Sequence, residues 1–168
     1  MNIDTLEEFS LKSLREMYDA ENQLTKALPK MAKASKSDEL RSAFEDHLEQ
    51  TKNHVTRLEQ IFSSMGKKPD GETCGAMKAL VKEGEEIISE MDQSPLRDAA
   101  LISAGNKVEH FEIACYGTAR TFAQQMGKQS AVTLLEKTLE EEKMADEKLT
   151  RLAETVVNTK AQQLGAKG

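Results

Sequence analysis

Two carboxylates interrupt an apolar helical face near the middle of the chain. Residues 108–116 contain Glu109 and Glu112. Helical spacing places both on the same face as Val108 and, further along the helix, Phe122. A face of this kind packs against a protein core, where a carboxylate costs several kcal/mol unless it is protonated, paired with a cation or bound to a metal. The spacing therefore predicts a buried site with carboxylate chemistry.

Polar residues also interrupt the apolar faces of the other long helical segments. Glu21 lies in the first of these segments, and Glu142 lies in the last. The offset that aligns Glu21 with Glu112 also aligns Thr51 with Glu142, and it matches two pairs of leucines as well. We infer two related helical hairpins that pack about a pseudo-twofold axis.

This arrangement has the elements of a site for two metal ions. Helical bundles that hold such a pair use one Glu from each of two helices and a Glu-x-x-His motif from each of the other two. Glu21 and Glu112 occupy the two single-Glu positions, and Glu109 adds a carboxylate one turn earlier. The carboxylate side of the pattern is therefore well represented.

The two Glu-x-x-His motifs are each half present. They read Thr51-x-x-His54 and Glu142-x-x-Ala145, and Asp146, one turn beyond Glu142, is a substitute for the missing imidazole. The predicted metal ligands are therefore Glu21, His54, Glu109, Glu112, Glu142 and Asp146. Ligands of these types favour iron or manganese. In this assignment Glu142 bridges the ions. Glu21 and Glu112 each cap one ion, and Glu109 and His54 complete the coordination.

The alternative is a metal-free polar network. In that case the buried carboxylates share protons and pair with Lys, Arg or Tyr side chains. Tyr18 and Tyr116 lie on inner faces and are candidates to hydrogen-bond the carboxylates. We interpret His47 as a hydrogen-bonded core residue and Glu141 as part of a solvated face or of a helix pair with a lysine.

The elements that must position these residues are helices. The chain of 168 residues is rich in strong helix formers and has only 9 Gly and 3 Pro, which predicts an all-α domain. Thr5 and Glu8 have capping-box spacing at the start of the first helix, which Pro29 should bend or split before it ends at about residues 34–36. Ser37 or Asp38 begins the second helix.

The remaining segments suggest the topology. The second helix ends at Gly66, and residues 73–91 form a shorter helix. Ser94 and Pro95 begin a third long helix that ends at Gly127, and a fourth runs from residues 128–130 to about residue 157. A crossover helix between the second and third long helices is typical of a ferritin-like four-helix bundle. We predict a bundle over residues 1–157 and a frayed polar tail over residues 158–168.

Composition limits the classes of partner. The net charge of −6 and the pI near 5.2 predict no binding to nucleic acid and none to an anionic membrane surface. The sequence has neither a secretory signal pattern nor an apolar run of membrane-spanning length, so we expect a cytoplasmic protein. Cys74 and Cys115 are far apart and lack a C-x-x-C motif, which favours reduced structural thiols.

Four segments together resemble a known family. Residues 18–21 (YDAE), 47–51 (HLEQT), 108–112 (VEHFE) and 139–143 (LEEEK) are similar to the YciE/YciF family of bacterial stress-induced proteins. The resemblance covers the chain up to its tail. It implies a ferritin-like bundle that forms a homodimer and is distantly similar to rubrerythrin and other di-iron carboxylate proteins. The chain lacks the C-x-x-C pairs of the rubredoxin-like iron site in rubrerythrin.

Two functional hypotheses follow. The first is a cytoplasmic stress-response protein with a carboxylate-rich iron or manganese site that acts in oxidative defence through peroxide or oxygen chemistry. The second is a structural or interaction protein that retains the fold but has lost the metal, as the incomplete Glu-x-x-His motifs would suggest. Iron storage in a cage is a third hypothesis, which a measured mass equal to a dimer would exclude.

Overall fold

A computed structural model describes residues 3–165, and within this range every regular element is helical. The predicted all-α class is therefore confirmed. The helices are α1 (Leu6–Ala34), α2 (Asp38–Ser64), α3 (Gly75–Glu90), α4 (Pro95–Gln125), α5 (Gln129–Leu152) and α6 (Asn158–Gly165), with a π-helical turn at Ala153–Val157. None of the described helices is both long enough and apolar enough to cross a membrane.

The predicted helix starts are confirmed. Thr5 and Glu8 form the expected capping box at the start of α1, in which each side chain accepts a hydrogen bond from the other residue's backbone N–H. Ser37, rather than Asp38, caps α2, and its hydroxyl accepts a hydrogen bond from the N–H of Leu40. Ser94 caps α4, whose first residue is Pro95.

Helix ends also follow local sequence signals, with one exception. Gly66 and Gly127 end α2 and α4 with φ angles of 64° and 68°, a left-handed conformation that only glycine adopts without strain. Of the two outcomes predicted at Pro29, the split does not occur, because α1 is one helix from Leu6 to Ala34, and the bend stays a prediction. Leu28 and Met31, on either side of the proline, are both buried.

The four long helices form two hairpins, α1–α2 and α4–α5, and α3 lies in the connection between them. Contacts between long helices link α1 with α2, α2 with α5, α5 with α4 and α4 with α1, so that each of these helices packs against two others. The helix α3 packs on α1 and α4. The crossover helix predicted between the second and third long helices is therefore present.

Two neighbouring buried residues, Arg97 and Asp98, connect the two hairpins at one end. The Asp98 carboxylate on α4 accepts hydrogen bonds from the backbone N–H groups of Lys36 (2.7 Å) and Ser37 (2.8 Å) in the α1–α2 connection. The Arg97 guanidinium donates to the carbonyl of Ala34 at the end of α1. The start of α4 therefore satisfies the exposed backbone groups of the first hairpin's turn.

The core consists of two apolar clusters, one toward each end of the bundle of long helices. Leu24, Phe44, Leu101 and Leu149 belong to one, and the other contains Leu14, Leu58, Ala119 and Leu135. Each long helix contributes to both clusters. On each of these helices, the polar residues singled out by the sequence lie where the helix passes from one cluster to the other.

The C-terminal segment differs from the expected fading of the last helix near residue 157. The π-helical turn continues α5 directly into α6, and Val157 is buried at 1% exposure against the first apolar cluster. Residues 166–168 of the predicted tail lie outside the described residues. The division into a bundle over residues 1–157 and a tail over residues 158–168 stays a prediction.

Candidate metal centre

The four long helices bring six ionisable side chains together in the interior, between the two apolar clusters. All are 5% exposed or less: Glu21 from α1, His47 and His54 from α2, Glu109 and Glu112 from α4, and Glu142 from α5. We refer to these six residues as the carboxylate cluster. It contains five of the six residues that the sequence predicted as ligands, together with His47.

The carboxylate cluster divides into two groups that share one member. Ligand atoms of His47, Glu109, Glu112 and Glu142 lie within 4.8 Å of one another, and so do those of Glu21, His54 and Glu142. We call these the His47 group and the His54 group. Because Glu142 belongs to both, its carboxylate lies between two potential ion positions.

Glu141, which lies outside the carboxylate cluster, orients the ring of His54. Its Nε2 lies 2.9 Å from Oε2 of Glu141, and Arg57 donates to both Glu141 oxygens at 2.7 and 2.9 Å. With Nε2 as the donor to Glu141, Nδ1 presents its lone pair to the carboxylate cluster. In metal sites, a histidine ligand typically donates a hydrogen bond from its other ring nitrogen to a carboxylate in this way.

Glu141 was interpreted from the sequence as part of a solvated face, and this interpretation is wrong. Its side chain is 16% exposed and joins Arg57 to His54. The ion pair crosses from α2 to α5. The guanidinium of Arg57 lowers the pKa of Glu141 despite the opposing effect of partial burial.

His47 faces the other group. Its Nε2 lies 3.2 Å from Oε1 of Glu109 and 3.6 Å from Oε2 of Glu142, and its Nδ1 lies 3.2 Å from Oε1 of Gln50. His47 was interpreted from the sequence as a hydrogen-bonded core residue rather than a ligand. Its separation from His54 is the signal that links the two histidines, because seven residues are two helical turns and place both rings on one face.

Burial and mutual repulsion favour the protonated forms of Glu109 and Glu112 in the metal-free cluster. Burial, followed by the charge of Glu142, raises the pKa values of Glu109 and Glu112 well above the usual range. Burial lowers the pKa of His54, but the close negative charges of Glu142 and Glu21 outweigh this effect and raise it to about 10. A cation bound here would therefore displace protons.

Most of the side-chain oxygen and nitrogen atoms of the cluster have no hydrogen-bond partner among residues 3–165. These atoms are Oε2 of Glu21, Nε2 of His47, Nδ1 of His54, Oε2 of Glu109 and both carboxylate oxygens of Glu112 and Glu142. The His54 Nδ1 is only 2.9 Å from Oε1 of Glu142 and 3.3 Å from Oε1 of Glu21, yet it has hydrogen-bonding geometry with neither. Such atoms are costly when buried, and a shared cation would satisfy them.

The tyrosines bond carboxylates, as the sequence suggested, but only one of them reaches the cluster. The Tyr116 hydroxyl donates to Oε1 of Glu21, and the ring is 2% exposed. The Tyr18 hydroxyl donates to Glu59 at 3.0 Å instead. Tyr116 therefore fixes the same Glu21 oxygen that lies 3.3 Å from Nδ1 of His54.

The structure does not bring Asp146 into either group. Its carboxylate accepts a hydrogen bond from Asn106 at 2.6 Å and lies 3.3 Å from the exposed His110. Asp146 is one turn beyond Glu142 but is rotated toward the outer side of α4. The second imidazole of the cluster comes from α2, as His47, rather than from the turn that follows Glu142.

Comparison with known proteins identifies the family of the chain. A family described as a domain of unknown function, DUF892, matches residues 5–162. The chain belongs to the DUF892 family. It is also 45% identical to protein YciF of Escherichia coli K12 over 163 residues, which cover 96% of this chain and 98% of YciF. The resemblance noted in the sequence is thus confirmed for this DUF892 protein.

Solved structures share its fold. The crystal structure of the E. coli stress protein YciF matches with a TM-score of 0.89 and 44% identity, over 93% of this chain and 99% of that one. YcfI from Rhodopseudomonas palustris matches with a TM-score of 0.86 and 40% identity, over 89% and 95% of the two chains. A Xanthomonas campestris protein, 20% identical with a TM-score of 0.74, shares the fold alone over 96% of this chain and 99% of its own.

Proposed function

We propose that this DUF892 protein is a cytoplasmic stress-response protein with a ferritin-like four-helix bundle that binds two iron or manganese ions. Its role is oxidative defence through peroxide or oxygen chemistry. The packing of each long helix against two others, and the crossover helix between the hairpins, support the ferritin-like arrangement. The similarity to a protein described as a stress protein supports the cellular role.

The metal proposal rests on one observation. Buried ligand atoms that have no hydrogen-bond partner among the described residues lie close to Glu142, the carboxylate that both groups share. Four glutamates and two histidines, all buried, supply the ligand types and the number that two-metal helical bundles use. Glu142 would bridge the ions. Glu109, Glu112 and His47 would hold one ion, and Glu21 and His54 the other.

The surrounding residues prepare these ligands. Glu141 behind His54 and Gln50 behind His47 each leave the opposite ring nitrogen free for the cluster. Tyr116 fixes Glu21, and the two apolar clusters exclude bulk water from either side. Bound iron or manganese would supply the electron transfer that reactions with peroxide or dioxygen require.

Metal analysis tests the proposal. Protein purified without chelator and reloaded anaerobically with Fe²⁺ or Mn²⁺ should bind up to two ions per chain by elemental mass spectrometry. Glu142→Ala should lose most of both, because the residue belongs to both groups. The control is Glu140→Ala, an exposed glutamate on the same helix, which should bind metal normally. Wild-type protein that binds neither metal would refute the proposal.

A second candidate function is a structural or interaction role for a metal-free protein. Its support is that protons alone can reduce the charge of the cluster, since the pKa values of Glu109, Glu112 and His54 are all raised. In that case neither metal would change the thermal stability. We also propose a homodimer, as the resemblance to the YciE/YciF family implies, and a mass measurement that gave a monomer or a large shell would contradict it.

A further inference from the structure

A pocket leads from the surface to one side of the carboxylate cluster. Its volume is about 290 Å³, and His47 and Glu109 lie in its wall. Neither Glu21 nor His54 lines it. The pocket therefore reaches the His47 group and leaves the His54 group behind protein.

A short side chain opens the pocket at the position where the sequence pattern calls for an imidazole. Ala145 occupies the His position of the Glu142-x-x-His motif, and it lines the pocket. A histidine at this position would fill space that is now open. His47 on α2 provides the second imidazole of the cluster, so Ala145 can leave the pocket open without the loss of a histidine ligand.

The walls and the mouth of the pocket indicate which molecules fit. Phe44 and Leu149 contribute apolar walls, and the space exceeds by several times the roughly 30 Å³ that one water molecule occupies in the liquid. At the rim, Lys148 donates to Asp46 at 2.8 Å, so that the two charges offset each other. The rim therefore does not select for an ion of either sign.

We propose that this pocket is the entrance for a small uncharged oxidant, of the class of hydrogen peroxide or dioxygen, and that the oxidant meets the metal ion of the His47 group first. This inference rests on the proposed function and makes its two metal positions unequal. The ion of the His47 group is the one open to substrate. The ion of the His54 group is enclosed, with its imidazole backed by Glu141 and Arg57.

Nitric oxide is a suitable probe, because it is small, uncharged and gives a characteristic absorbance when it binds Fe²⁺. Wild-type protein loaded with Fe²⁺ would be mixed with nitric oxide in an anaerobic stopped-flow instrument and compared with Ala145→Leu. The leucine should slow binding by about tenfold or more without lowering the iron content. Ala79→Leu, an exposed alanine on α3 outside the pocket, is the matched control and should bind at the wild-type rate.

The outcomes separate the entrance from the metal site. Ala145→Leu that retains its iron and binds nitric oxide at the wild-type rate would overturn the proposed entrance and leave the metal proposal intact. Wild-type protein without iron would overturn both. If Ala145→Leu folds poorly by circular dichroism or binds less iron, the smaller Ala145→Val decides, with a slower rate expected and an unchanged rate refuting the entrance.

Discussion

Replacement of Glu112 by glutamine should distinguish the effect of this residue on the stability of the metal-free fold from its effect on metal binding. Both Glu112 oxygens are buried without a hydrogen-bond partner among residues 3–165, and burial raises the pKa of this residue well above the usual range. Burial therefore favours the neutral acid form of Glu112 in the metal-free protein. Glutamine is neutral and has nearly the same shape, so the free energy of unfolding without metal should change by less than about 1 kcal/mol.

With metal, the same substitution should have a large effect. The ion of the His47 group, present at about 100 times its Kd, would stabilise the wild-type fold by about 2.7 kcal/mol, and 1 kcal/mol corresponds to about 2–4 °C in Tm for a chain of this size. Its contribution to the rise in Tm is thus about 5–11 °C. If loss of the Glu112 ligand weakens binding of this ion about 100-fold, its contribution falls to about 0.4 kcal/mol, or about 1–2 °C, while the ion of the His54 group contributes as before.

The assay is thermal unfolding by far-ultraviolet circular dichroism, with and without Mn²⁺, since the chain has no Trp to report by fluorescence. Glu140→Gln, an exposed change on α5, is the control and should show the full wild-type rise. An equal rise in Tm for Glu112→Gln would remove Glu112 from the ligand set. A loss of more than about 2 kcal/mol without metal would show instead that an ionised Glu112 stabilises the metal-free fold.

Two further predictions follow. Asp98→Ala should lower the free energy of unfolding in urea by about 2–5 kcal/mol, because the N–H groups of Lys36 and Ser37 lose their buried carboxylate partner, and a loss below about 1 kcal/mol would contradict the role given to this carboxylate. The rise in Tm produced by Mn²⁺ should increase from about pH 6 to about pH 8, with melting curves at each pH as the measurement. Because the pKa values of Glu109 and Glu112 are raised, the metal-free fold loses stability as the pH increases above their ordinary value of 4.5. The metal then competes with fewer protons for these carboxylates. A rise in Tm that does not depend on pH would contradict this linkage.

The sequence was most informative where local chemistry decides the structure. The caps at Thr5, Ser37 and Ser94 and the glycines that end α2 and α4 depend only on neighbouring residues, so the helix positions could be predicted closely. The buried glutamates could be recognised because a carboxylate on an apolar face needs a specific reason. The π-helical turn after α5 carried no such signal. It inserts one extra residue into the helical repeat and keeps Val157 buried where a regular repeat predicted an end.

Of the two histidines in the cluster, His54 was predicted from the sequence as a ligand and His47 was not. The Glu-x-x-His template directed attention to Asp146, whereas the second imidazole is His47, two turns before His54 on the same helix. Glu141 was missed because its partner, Arg57, lies on another helix, and adjacency to Glu142 placed it on a different face. Such contacts depend on how helices pack, which periodicity in one helix does not specify.

The distribution of ligands over the hairpins links metal binding to the opening of the fold. The His47 group combines α2 of the first hairpin with α4 and α5 of the second, and the His54 group combines α1 and α2 with α5. Neither hairpin alone contains a complete group. Separation of the two hairpins, the natural subglobal opening of such a fold, and release of either ion would therefore be the same event, so a bound ion would protect both hairpins as one cooperative unit.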